Sequence, residues 1–110
     1  MRDEDMAKLK PRDPQLQVNL GLLYARKSQP NLAVPRLQAA LVLAPEDPGI
    51  LVSAGEAYEL LGDRSQAIQL VGKAIQKGYS LDDLKHDPDA QSILSDPKFP
   101  QGPVASGPKN

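Results

Sequence analysis

The chain has 110 residues, 13 Lys and Arg against 14 Asp and Glu, a net charge of −1, one Phe, three Tyr and neither Trp nor Cys. That length allows one small domain, and the balanced charge, with no run of five or six like residues, excludes the basic footprint of a nucleic-acid binder or a polybasic membrane anchor. Without Cys there are no disulfides, thiolate metal sites or cysteine nucleophiles, which agrees with a reducing, cytoplasmic setting.

Residues 1–12 are charged from the second position and lack an apolar centre, so they do not read as a signal peptide. No run in the chain approaches the roughly 18 apolar residues of a spanning helix, which argues against membrane insertion. Leu9-Lys10-Pro11-Arg12-Asp13-Pro14 returns 34 residues later as Leu43-Ala44-Pro45-Glu46-Asp47-Pro48. The opening segment is therefore either the end of a preceding helix pair or an N-terminal capping helix carrying Met6 and Leu9.

Asp13-Pro14 signals the first helix, over 14 to 27, with Asp as N-cap and Pro at the first helical position. Its apolar residues Leu16, Leu20, Leu23 and Tyr24 fall on one stripe. A second helix is expected over 31 to 43, capped by Asn31, which would leave Pro35 near its start. Asp47-Pro48 opens the third, over 48 to 61, on the stripe Ile50, Ala54, Ala57, Tyr58 and Leu61. Leu61-Gly62-Asp63 then combines a Gly C-cap with an Asp N-cap, and a fourth helix runs over 64 to 77. Beyond Gly78, Ser80 with Asp83 and Asp87 with Pro88 start two short helices that turn Leu81, Leu84, Ile93, Leu94 and Phe99 inward. The Pro, Gly and Ser content after Phe99 is that of a disordered tail.

Within the two 34-residue stretches Gly21 pairs with Gly55, Tyr24 with Tyr58, Ala33 with Ala67 and Ala40 with Ala74. This register resembles the tetratricopeptide repeat (TPR). The resemblance implies an all-α superhelix of antiparallel helix pairs, with units at 13–46 and 47–80, a C-terminal capping segment at 81–99 and a tail at 100–110. Gly21 and Gly55 would let each first helix approach its second helix, Ala33, Ala40, Ala67 and Ala74 would receive them, and Tyr24 and Tyr58 would fill the space between units. The ending, Gly78-Tyr79 followed by Leu81-x-x-Leu84, Asp87-Pro88-Asp89 and Ser95-Asp96-Pro97-Lys98-Phe99, is similar to segments that close repeat arrays in bacterial multidomain proteins. Such arrays often follow kinase, cyclase-like or DNA-binding modules.

Catalytic chemistry finds little support. His86 is the only histidine, and Asp82, Asp83, Asp87 and Asp89 around it lack the glycine and terminal glutamate of a calcium loop. No phosphate loop, nucleophile elbow or kinase signature is present, so no catalytic residue, metal or cofactor is assigned. The resemblance instead implies protein binding in a groove lined by the first helices, at Gln15, Val18, Asn19, Leu22 and Arg26 in one unit and Val52, Ser53, Glu56 and Glu59 in the next. A partner with apolar side chains and a basic residue would complement it. One TPR subclass clamps acidic chaperone tails with Lys, Arg and Asn. Here Asn19 matches, but Val18, Leu22 and Ser53 stand at the other positions, which argues against that ligand. Two full units fall short of the roughly three that usually suffice for independent stability, so a homodimer through the open N-terminal end, or a structural spacer, is the alternative.

Overall fold

A computed structural model describes residues 12–99. Among them are six helices and no strand: α1 (Pro14–Arg26), α2 (Pro30–Leu43), α3 (Pro48–Leu60), α4 (Arg64–Gln76), α5 (Leu81–Lys85) and α6 (Pro88–Leu94). The expectations for residues 1–10 and for the tail lie outside the described residues.

Side-chain caps set the helix starts. Asp13 accepts from the Leu16 amide, Asp47 from the Gly49 and Ile50 amides, Asp63 from Gln66, Ser80 from Asp83 and Asp87 from Asp89. Each bond satisfies an amide that has no carbonyl partner within the helix. The exits also share a plan. At the end of α1 the Gln29 amide donates to the Tyr24 carbonyl and the Ser28 amide to Ala25, and the same pair of bonds closes α3 through Asp63 and Gly62 and α4 through Tyr79 and Gly78. This closure places one residue in the left-handed region. Gly62 (φ 86°) and Gly78 (φ 104°) take it without Cβ strain, whereas Ser28 does so at φ 57°.

The start of α2 differs from expectation. Asn31 is not its cap; the helix begins at Pro30, and Gln29 precedes it with no side-chain cap. The closure of α1 brings the chain directly to Gln29, whose carbonyl already accepts from the Leu32 and Ala33 amides. Pro35 consequently lies inside the helix, where its ring cannot donate to Asn31. Both residues are exposed, so the carbonyl left over at Asn31 is open to hydration.

α1 packs against α2, α3 against α4, α1 against α3, and α2 against α3. Two antiparallel helix pairs thus lie side by side. Their interior divides into two apolar clusters. One holds Val18, Ala33, Leu37 and Ala40 of the first pair with Ile50, Ala54, Ala57 and Tyr58 of α3. The other holds Val52, Ala67, Val71 and Ala74 of the second pair with Leu84, Ala90, Ile93 and Phe99 of the closing segment. Adding 34 to Val18, Ala33, Leu37 and Ala40 gives Val52, Ala67, Val71 and Ala74, and adding it to Ile50 gives Leu84. Leu84 of the closing segment therefore covers the second pair from the register position Ile50 holds on the first, whereas Ala54, Ala57 and Tyr58 map to Pro88, Gln91 and Ser92, which are exposed. Leu81 is an exception to the inward set expected from the sequence: it is 40% exposed, and Ala90, fully buried, packs there instead. Leu81 is the first residue of a five-residue helix and stays towards solvent, while Leu84 three positions on is buried in the cluster.

Candidate partner-binding face

The side-by-side contact of α1 and α3 sets the outer residues of the two helices next to each other. Gln15, Asn19 and Arg26 are exposed there, and Leu22, Ser53, Glu56 and Glu59 are half-buried. The Gln15 amide nitrogen donates to Asn19 Oδ1 at 3.0 Å, one turn apart on α1. Val18 and Val52 do not belong to this face. They are 0% and 4% exposed and lie in the two interior clusters, because each is on the side of its helix that meets Ala33 and Leu37, or Ala67 and Val71. A valine at these positions contributes to the core, and the face is more polar than expected.

Glu56 is its most perturbed group. Oε2 is enclosed and makes no hydrogen bond, and burial pushes the carboxyl up to about 8. That rise includes smaller contributions from the adjoining Asp87 carboxyl, by hydrogen bonding and charge, and from the charge of Asp89, with Arg26 on α1 opposing them. At neutral pH Glu56 is thus largely protonated, consistent with the cost of an uncompensated buried carboxylate. Tyr79 next to it is also raised, first by burial and then by the charges of Glu56, Asp83 and Asp87.

Glu59 is committed to an internal bond. Arg64 Nε donates to Glu59 Oε1 at 2.6 Å and Nη2 to Oε2, while Nη1 reaches Asp96 Oδ2 at 2.9 Å and the Ser92 carbonyl at 3.2 Å. One guanidinium therefore ties α3 to the end of α6. Asp96 is held below the usual carboxylate range, first by the Lys98 amide and then by Arg64.

Gly21, Tyr24, Ala33, Ala40, Gly55, Tyr58, Ala67 and Ala74 sit inside or against the helix pairs. The four alanines are fully buried, Tyr58 is buried and Tyr24 half-buried. A Cβ on Gly21 would come within 2.4 Å of Leu37 Cδ2, and one on Gly55 within 2.9 Å of Val71 Cγ2.

Two features escape the repeat reading. Gln17 is 2% exposed and its Oε1 accepts from Arg36 Nη1 at 3.1 Å. Their partners 34 residues on are Leu51 and Leu70, so a polar pair in the first unit replaces an apolar pair in the second. Both members change together, which is the signal that comparing the two copies supplies. The second feature is a basic cleft on α4, to which no position of the repeat register points.

No group of three or more His, Cys, Asp or Glu with the geometry to hold a metal occurs among the described residues. His86 Nδ1 lies 2.8 Å from the Asp82 carbonyl oxygen and Asp87 caps α6. No helix among the described residues is long and apolar enough to cross a membrane. No protein-family model, curated protein or solved structure matches the chain.

Proposed function

We propose that the chain is a non-catalytic protein-interaction module of the tetratricopeptide kind, part of a larger signalling or assembly protein, which holds a partner segment on the joint α1–α3 face. The observation that carries this reading is the adjacency of the two first helices, close enough for the charge of Arg26 on α1 to act on Glu56 of α3. A partner laid across that joint meets the apolar side chain of Leu22, polar groups at Gln15, Asn19 and Ser53, the positive charge of Arg26 and the largely protonated carboxyl of Glu56. The complementary ligand is a helix or extended peptide bearing apolar side chains and a basic group directed to Glu56, whose approach favours release of the Glu56 proton. Leu22→Glu and Glu56→Lys variants test it by crosslinking and pull-down alongside light scattering. Loss of the captured partner at unchanged monomer mass supports the module; loss of dimer mass alone refutes it.

Self-association is the second reading, and one observation favours it. Leu16, Leu23 and Tyr24 on α1 correspond to Ile50, Ala57 and Tyr58 of α3, which pack on the first pair, and all three α1 residues are half-buried. A dimer through this N-terminal side, the isologous form being the commonest, loses its doubled mass in Leu23→Glu and keeps it in Leu22→Glu.

A further inference from the structure

Gly72 stands in the middle of α4 without an internal reason to be glycine. A Cβ added there would meet nothing within 4 Å, and its backbone is not in the positive-φ region. Gly21 and Gly55, by contrast, admit a neighbouring helix. Glycine weakens a helix interior relative to alanine, so an unused gap on this helix calls for an explanation outside the core.

The bare side of Gly72 forms the floor of a shallow, open cleft of about 410 Å³, with Ile68 at its apolar edge. Gln69, Lys73 and Gln76 of α4, Lys77 at its C-cap and Lys98 from beyond α6 complete the lining, which contains no carboxylate. Lys77 lies 3.5 Å from Glu46, while Lys73 and Lys98 form no ion pair among the described residues. Cations near the end of α4 suit the helix dipole. That does not account for Lys98, which belongs to another segment, nor for Gly72, which lowers helix stability.

We propose that this cleft is a second docking surface and takes an extended acidic peptide from a partner protein. The peptide backbone lies against Gly72, where the missing side chain permits close approach, within reach of the Gln69 and Gln76 amides. Its Asp or Glu side chains pair with Lys73, Lys77 and Lys98. Three lysines on a chain of net charge −1 make too narrow a basic field for a duplex or a bilayer. The surface shares no residue with the α1–α3 face and stands or falls independently of it.

Fluorescence anisotropy with the full chain tests this, using a labelled Asp/Glu/Gly peptide of about ten residues and its Asn/Gln/Gly counterpart. The acidic peptide binds at low salt and the neutral one does not. Gly72→Leu fills the floor and weakens binding by roughly tenfold or more while leaving Tm unchanged or higher, since Leu is the better helix former. Lys98→Glu weakens it similarly with the circular dichroism spectrum unchanged. The proposal is overturned if the acidic peptide does not bind, if Gly72→Leu leaves binding intact, or if an oligonucleotide of equal charge binds as tightly as the peptide.

Discussion

At Gly21 an added methyl would land 2.4 Å from Leu37 Cδ2 and 3.3 Å from the Leu37 backbone nitrogen, and Leu37 is fully buried with no room to yield. Overpacking of this kind costs about 1–3 kcal/mol, against a gain of about 1 kcal/mol in helix propensity, and the 2.4 Å approach puts Gly21 towards the upper end. Gly21→Ala therefore lowers stability by roughly 1–2 kcal/mol in a denaturant titration, whereas Gly72→Ala, with open space at its Cβ, raises it by about 1 kcal/mol. The turn positions form a second contrasting pair. Ser28 and Gly62 are 34 residues apart and share one backbone conformation, which costs an L-residue about 1–2 kcal/mol. Part of that is returned by the greater unfolded-state freedom of glycine. Ser28→Gly is expected to stabilise the fold by about 0.5 kcal/mol and Gly62→Ala to destabilise it by about 1 kcal/mol, both read from the denaturation midpoint.

At the scale of elements, helix positions were legible in the sequence wherever an Asp preceded a Pro or followed a Gly, because those dipeptides encode cap geometry locally. The start of α2 was not, since it depends on how α1 ends: a serine took the left-handed position that glycine would have announced. Val18 and Val52 show a related limit. Periodicity identifies an amphipathic helix, but α1 is covered by α2 and α3, and α3 by α4, α1 and the closing segment, so a residue between two stripes is easily assigned to the surface. The Arg64 bonds to Glu59, Asp96 and Ser92 join segments far apart in the chain, and no local pattern foretold them. Arg64→Leu should release the end of α6 selectively. Hydrogen exchange checks this: amides of residues 88–99 exchange faster than in the wild type, while those of α1 and α2 are unchanged. Equal acceleration throughout would show that the guanidinium supports the whole fold instead.

For the molecule as a whole, Glu56 links stability to pH. Its carboxyl rises from an ordinary value of 4.5 to about 8 in the folded chain, so the native state binds the proton more tightly than the unfolded state. The stabilisation it contributes is complete below about 4.5 and is lost progressively as pH rises through about 8, where the anion faces Asp87 and Asp89 with Arg26 as the opposing charge. Melting curves from pH 5 to 9 should show Tm falling across this range, and Glu56→Gln should flatten the fall. A parallel decline in the variant would place the titrating group elsewhere.

The matching of the two interior clusters has an evolutionary consequence. Because Leu84 covers the second pair from the register position that Ile50 takes on the first, the boundary at Asp47 and the boundary near Leu81 fall at the same phase of the repeat. Tandem duplication of residues 47–80 would add a pair without shifting that phase. A lineage carrying this design can lengthen its chain by whole multiples of one period, and the terminal cover travels outward unchanged each time.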